Sequence, residues 1–369
     1  MNTDEKLIQQ IDRLIAGHSS FALYRLPNEQ EPYLVMQTEA EPEQLRSPEE
    51  LNGRQGFVMA PFRANNNCPI LLIKPDCFIF GKEAIANFPI DLPQPPLPES
   101  SLPVSHEDNR TRYNQAFAHF HSALTRQEVD KLVLARKCIL PLSAHFSAGH
   151  AFINACRYYP NAMIYLCHTP VSGLWMGCTP EILLSVKNGM GHTVSLAGTM
   201  PVLNDKEPME WSRKNRDEQE FVSQYIRSCL AAHRLIVREE GPYTTRAAGV
   251  VHLKTDFFFH PTDTKHLGKL LADLHPTPAV CGLPKEKALE LIHRFEALDR
   301  RYYAGFIGWT SPDNSTDLYV NLRCMEIRPP QAILYAGGGI LPSSEADSEW
   351  EETEYKLKTI QTALTNSNE

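Results

Sequence analysis

A chain of 369 residues, 42% of them hydrophobic and 22% charged, has the composition of an ordinary globular protein, long enough for two domains or one large one. Its net charge of −8 argues against a nucleic-acid binder, whose phosphate contacts need a basic surface, yet leaves room for a small anion held by a few buried cations. Nine scattered cysteines, with no Cys-x-x-Cys pair and no zinc spacing, fit reduced thiols in a cytosol. The acidic start at Asp4 and Glu5 predicts no signal peptide, and apolar runs such as Ile70–Ile73 are far too short to span a bilayer. The expectation is a cytoplasmic protein.

In chain order, Leu7, Ile8, Ile11, Leu14 and Ile15 recur at helical spacing. Residues 21–26 and 33–36, split by Pro27-Asn28-Glu29-Gln30, read as a hairpin, with further short strands at 56–60, 70–74 and 77–80. Residues 89–103, with Pro93, Pro95, Pro96 and Pro98, read as an extended connector and a seam before the remainder. Tyr113, Phe117, Phe120 and Leu124 mark a helix. Residues 128–140 read as a strand in which Lys131 shares a side with Val133 and Ala135. A lysine there is ordinarily a snorkelling edge residue; the alternative is a partly buried amine able to act as a base.

Strand-like runs at 163–168 and 172–176 lead into Gly177-Cys178-Thr179-Pro180-Glu181-Ile182-Leu183-Leu184. Glu181 is either a capping residue at a turn or a carboxyl that burial makes a proton donor near neutrality. Residues 194–199 form a strand ending in Gly198-Thr199, a possible hydrogen-bonding lip. Residues 210–237 carry the longest helical pattern, and Glu218 falls on its apolar stripe with Val222, Ile226 and Cys229. A carboxylate on a buried face needs a cation, and Lys214 one turn earlier or a metal could serve.

Residues 274–284 are too proline-rich for a helix or central strand, and a helix follows with Ala288, Leu291, Ile292 and Phe295 as its apolar row. Strands are expected at 303–310 and 318–327. The second carries Arg323, whose planar fork suits a carboxylate, although a strand arginine is more often a surface ion pair. Ala336-Gly337-Gly338-Gly339-Ile340 then supplies backbone without Cβ atoms, open to close approach. The helix predicted after it has Ser348 and Glu351 as a capping box, and Glu349, Glu352 and Lys356 on one face. Spacing leaves two readings open: a solvated Glu–Lys face, or a site where glycine amides and Lys356 take an anion and glutamates a hard cation.

Taken together, Gly-Cys-Thr-Pro-Glu-Ile-Leu-Leu, Ser-Leu-Ala-Gly-Thr, Leu-His-Pro-Thr-Pro-Ala-Val-Cys-Gly-Leu-Pro, Tyr-Ala-Gly-Phe-Ile-Gly-Trp, Ala-Gly-Gly-Gly-Ile and Glu-Trp-Glu-Glu-Thr-Glu-Tyr-Lys-Leu occur in the order seen in chorismate-utilising enzymes. Six ordered motifs are far more specific than one glycine-rich match. The pattern most closely resembles the isochorismate synthases of that family, strongly from about Tyr113 onward and weakly before. The resemblance implies an α+β fold of two large, mostly antiparallel sheets packed together with helices outside. It treats residues 1–369 as one chorismate-binding domain, with divergent N-terminal strands and the connector at 1–103 and a core at 110–369. It also implies Mg2+-dependent conversion of chorismate to isochorismate, with a quinone route the expected use and a siderophore route the alternative. A monomer or weak homodimer is implied, with no nucleic-acid or membrane partner.

Residue by residue, Lys131 matches the base that activates water for C2, and Glu181 the acid that protonates the departing C4 hydroxyl. Glu218 and Glu352 match the magnesium ligands, with Glu349 in a secondary role. Arg323, Lys356 and the Gly338 and Gly339 amides match the pocket for the substrate's carboxylates, and Gly198 and Thr199 the lip beside the ring. Related anthranilate synthases carry glutamine where Lys131 stands, and aminodeoxychorismate synthases a lysine where Ala197 stands. Salicylate synthases usually depart from His-Pro-Thr-Pro-Ala at 275–279. All three comparisons favour isochorismate as product, with a salicylate synthase or a non-catalytic chorismate-binding paralogue as alternatives. One departure is Gln219, where the family commonly has histidine; it leaves the metal ligand intact and bears on affinity.

Overall fold

Every residue of the strand Met163–Thr169 is buried, because its two faces meet two different cores. Met163, Tyr165 and Cys167 point into one, and Ile164 and Leu166 into the other. Such a strand reads as a continuous apolar run rather than an alternating one. In this computed structural model the described residues are 2–89, 109–201, 210–247, 250–313 and 315–365; the connector expected at 89–103 lies outside them from residue 90 on.

Two nine-stranded sheets face each other. The first runs, edge to edge, Gly282–Leu283, Lys131–Pro141, Gln331–Ile340, Cys324–Arg328, Gly173–Thr179, Met163–Thr169, Phe21–Arg25, Tyr33–Met36 and Cys77–Phe80. The second runs Val237–Ala247, Val250–Phe259, Met190–Pro201, Ile182–Lys187, Ser315–Val320, Phe306–Thr310, Gly56–Ala60, Ile70–Ile73 and Glu43–Leu45. All the strand pairs registered in them are antiparallel. The expected α+β architecture is therefore present. Strands from the first eighty residues hydrogen-bond into both sheets, so the N-terminal portion extends the scaffold rather than standing beside it.

The helices are α1 (Thr3–Ala16), α2 (Lys82–Ala86), α3 (Asn109–Thr125), α4 (Ala148–Tyr158), α5 (Arg213–Ala232), α6 (Gly268–Leu274), α7 (Lys285–Phe295) and α8 (Ala346–Thr365). The inter-sheet core holds Phe57, Trp175, Phe257, Phe306 and Tyr335, and α5 joins it through Val222, Ile226 and Leu230. The outer face of the first sheet is covered by α1, α4 and α8 through Leu7, Ile11, Phe152, Leu357 and Ile360. Helix α8 starts at Ala346, so Ser348 lies inside its first turn and is not the N-cap expected from the Ser348–Glu351 spacing. Among the described residues no helix is long and apolar enough to cross a membrane.

Candidate active site

The chain passes between the two sheets at 180–181, from Gly173–Thr179 to Ile182–Lys187, and again at 321–323, from Ser315–Val320 to Cys324–Arg328. These crossovers lie side by side. The Val320 amide donates to the Glu181 carbonyl at 2.9 Å, and the Cys178 amide to the Arg323 carbonyl at 3.1 Å. Asn321, wholly buried, accepts from the Tyr165 hydroxyl at 2.7 Å and donates to the Tyr302 carbonyl at 2.9 Å. Neither Glu181 nor Arg323 belongs to a regular strand, and Arg323 takes a left-handed φ of 48°. Leaving the ladder turns both side chains into the seam between the sheets, where they line one cleft. Glu181 is only 3% exposed, and Arg323 is buried too, so Arg323 is not the surface ion-pair residue of the plainer reading.

Lys131 opens the strand Lys131–Pro141, which pairs with the glycine strand Gln331–Ile340 on one side and Gly282–Leu283 on the other. It is fully buried, so the snorkelling reading fails. Its ammonium lies 3.0 Å from Glu218 Oε1 of α5, without hydrogen-bond geometry to any partner. The sequence left Lys214 or a metal as the partner of Glu218. Instead Lys214 reaches across to donate to Glu349 of α8, and Lys356 donates to Glu352 at 2.6 Å and to the Gly337 carbonyl at 2.9 Å. Each of the three glutamates is thus matched with one lysine.

Glycine at 339 lets these side chains lie against the backbone, whereas a Cβ at 338 would make only ordinary contacts. A Cβ on residue 339 would stand 2.2 Å from Glu218 Oε1, and one on residue 338 would stand 3.4 Å from Glu349 Oε2 and 3.7 Å from Glu352 Oε1. Gly337 and Gly339 line the cleft, while Gly338 turns towards the glutamates of α8. Gly198 has φ +68°, and the pairing of its strand shifts register between Ala197 and Thr199. That bulge lets the Gly198 carbonyl accept from His252 Nδ1 at 3.1 Å. Gly198, Thr199 and Ala197 all line the cleft.

Burial pushes the Glu181 carboxyl up to about 8, against the opposing charges of Lys131, Lys356 and Arg323. His252 is driven down to about 3, by burial first and then by Arg323 and Lys356, so its ring is neutral. With Nδ1 donating to Gly198, its Nε2 accepts from Arg323 Nη2 at 3.3 Å. Burial would raise Glu352, but Lys356, Lys214 and Arg323 outweigh it and hold it low; burial and Glu352 together raise Glu349. Burial would weaken the charge on Lys214, yet Glu349, Glu218 and Glu352 outweigh that and hold it as an ammonium.

His252 and Tyr303 line the cleft without having been singled out from the sequence. Tyr303 sits in the quoted Tyr-Ala-Gly motif, and its hydroxyl would lie 2.9 Å from a Cβ on residue 337. Histidine on an otherwise inward apolar strand, Val250-Val251-His252-Leu253, was the available signal for the other. Gln219 points away from the glutamates. It accepts from the Ala197 amide at 3.0 Å and donates to Ser195 Oγ at 2.8 Å and Thr255 Oγ1 at 3.1 Å, tying α5 to the second sheet. Its effect on Glu218 is through the seating of the helix.

The donor set for a cation is all carboxylate, which suits a hard divalent ion such as Mg2+. Glu349 Oε2 is buried and has no hydrogen-bond partner, and the missing Cβ of Gly338 leaves space beside it. Among the described residues no three potential ligands already converge on one point. Glu218, Glu352 and Glu349 are the residues that would hold it.

A family model described as chorismate binding enzyme matches residues 82–365. The isochorismate synthase EntC of Escherichia coli K12 is 29% identical over 261 residues, covering 68% of this chain and 66% of its own length. This chain therefore spans just under two thirds of that relative. A putative isochorismate synthase, MenF, of Mycobacterium tuberculosis H37Rv is 32% identical over 300 residues, covering 74% of this chain and 78% of its own. In fold, a crystal structure of the putative 2,3-dihydroxybenzoate-specific isochorismate synthase DhbC from Bacillus anthracis matches with a TM-score of 0.79. That match is at 22% identity and covers 98% of this chain and 99% of the other.

Proposed function

The chain belongs to the chorismate binding enzymes, and from that premise we propose that it is an isochorismate synthase, converting chorismate reversibly to isochorismate. The observation that carries this reading is a buried carboxyl, Glu181, lining a cleft that Arg323 and Lys356 make cationic, with the buried amine Lys131 near enough for its charge to act on that carboxyl. Hydroxide is a poor leaving group, so an acid is needed where it departs and a base where water attacks. Glu181, raised to about 8, keeps its proton at neutral pH and can give it to the C4 hydroxyl.

Lys131, having first released its own proton to solvent, takes a proton from a water molecule as its oxygen bonds to C2, and so returns to the ammonium that faces Glu218. The ring double bonds shift along the diene, the C4–O bond breaks, and Glu181 protonates the leaving oxygen, so one water enters and one leaves. Arg323 and Lys356 hold the two carboxylates of the substrate, and His252, neutral and bonded to Arg323, keeps that guanidinium aimed. The magnesium implied for the site would supply charge for a substrate carboxylate, held through Glu218, Glu352 and Glu349. Ala197 in the cleft presents no nucleophile, so no amine adduct forms on the ring there.

Incubating the purified protein with chorismate and Mg2+ and resolving the products by proton NMR tests this. Isochorismate at equilibrium with chorismate, without free pyruvate, is the expected outcome. Salicylate with stoichiometric pyruvate makes the protein a salicylate synthase instead, and bound but unchanged chorismate makes it a non-catalytic paralogue.

A further inference from the structure

Three carboxylates that are candidates for holding a divalent ion already have cations in the structure, and one of those cations differs from the others. Lys131 is fully buried in its strand, and Lys356 is anchored to the Gly337 carbonyl as well as to Glu352. Lys214 lies in the first turn of α5, one turn before Glu218, and spans to Glu349 on α8. Its side chain keeps 24% of its surface in solvent, whereas Glu349 keeps 2%. A lysine on a flexible stem with one end in water can swing out; the buried glutamate cannot follow. The other oxygen of that carboxylate, Glu349 Oε2, is buried without a partner, so the group has unused capacity for a cation.

We propose that Lys214 is a tethered competitor for the divalent cation: its ammonium occupies the space among Glu349, Glu352 and Glu218 until the ion displaces it towards solvent. An internal cation satisfies the carboxylates in the resting protein, where neighbouring negative charges would otherwise repel one another. It also lowers the site's affinity for the ion, so that the ion is held firmly only when a substrate carboxylate adds its own charge. The inference rests on the cation site described under the proposed function. Lys214 touches neither the reacting carbon atoms nor the diene in this account, and acts through Glu349 as a positioning residue.

The sign of one measurement separates this from a merely structural ion pair. Mn2+ binding is titrated by calorimetry without substrate for the wild type, Lys214→Met, Lys214→Arg and Glu352→Gln, with circular dichroism melts to verify folding. Removing the competitor should tighten Mn2+ binding by about tenfold or more, since a unit charge a few ångströms away is removed in a poorly screened site. Lys214→Arg, which keeps the charge, should bind no tighter than wild type. A structural strut would give the opposite sign, so unchanged or weaker binding by folded Lys214→Met overturns the proposal.

Wild-type protein gives an independent reading should Lys214→Met not fold. Acetic anhydride footprinting by mass spectrometry should show Lys214 more reactive when Mg2+ is added, and unchanged or reduced reactivity overturns the proposal. The two levels of failure are distinguishable. If wild type, Lys214→Met and Glu352→Gln alike bind no Mn2+, the cation site itself is wrong. If Glu352→Gln loses binding and Lys214→Met does not gain it, only the competitor is wrong.

Discussion

A methyl group at position 339 is the smallest change that should disable this site. It would stand 2.2 Å from Glu218 Oε1 and 3.1 Å from Lys131 Cε, both of which are side-chain atoms that can yield. Gly339→Ala should therefore leave the melting temperature nearly unchanged while displacing Lys131 and Glu218 together. Turnover should fall on the order of a hundredfold, the usual effect of an ångström-scale misplacement. Steady-state kinetics beside a thermal melt check this, and near-wild-type turnover would remove Lys131 and Glu218 from the machinery. At this scale much was legible: glycine, lysine and glutamate each stood out against their apolar surroundings. What the sequence hid was pairing. Lys214 one turn from Glu218 suggested a local partner, but the spatial match runs from α5 to α8, 135 residues apart. His252 was missed because its inward aim at Arg323 depends on the bulge at Gly198, which no residue pattern announces.

Among the elements, the two crossovers matter more than any helix. Asn321 fixes them by accepting from Tyr165 and donating to Tyr302, both inside the core. Asn321→Ala leaves the buried Tyr165 hydroxyl without its acceptor and the Tyr302 carbonyl with only the Gly305 amide, which should cost about 1–3 kcal/mol of stability. It should also lower turnover, because Leu322 and Arg323 follow directly in the chain. Urea unfolding with parallel kinetics tests this, and a loss under about 1 kcal/mol would show that the crossover is held by other contacts. Helix α8 is seated separately. The Arg136 guanidinium lies 3.8 Å from the Trp350 ring centre, and its Nε donates to Thr353 Oγ1 at 2.6 Å. Strand and helix identities were readable from periodicity, whereas the start of α8 was not. Ser348 and Glu351 have capping-box spacing, yet packing carries the helix back to Ala346.

For the molecule as a whole, burial of ionisable groups gives stability a defined pH dependence. His252 at about 3 and His275 at about 4 are both lowered from 6.5, chiefly by burial. Between those values and 6.5 the folded protein binds fewer protons at each than the unfolded chain, so both lose stability as pH falls. Glu181, raised from 4.5 to about 8, has the opposite sign: the folded state holds the extra proton, and its contribution is lost as pH rises through 8. Two histidines outweigh one carboxyl below 6.5 and neither titrates above it, so these groups place a stability maximum near pH 6.5. Urea midpoints from pH 5 to pH 8.5 measure it, and Glu181→Gln should abolish the decline on the alkaline side. A decline that persists in that variant assigns it elsewhere. The overall architecture was legible only through resemblance. Two sheets cannot be ordered from strand propensity, because registers such as Ala336 opposite Arg136 join segments 200 residues apart.

The central claim is that solvent water, activated at Lys131, becomes the C2 hydroxyl while the C4 hydroxyl leaves through Glu181. Chorismate should be turned over with Mg2+ in water enriched in oxygen-18 and the isochorismate analysed by mass spectrometry, with Lys131→Ala as the control. The account expects one heavy oxygen at C2 in the wild-type product and almost no product from the variant. Isochorismate that forms without label, or unimpaired labelling by Lys131→Ala, would contradict it.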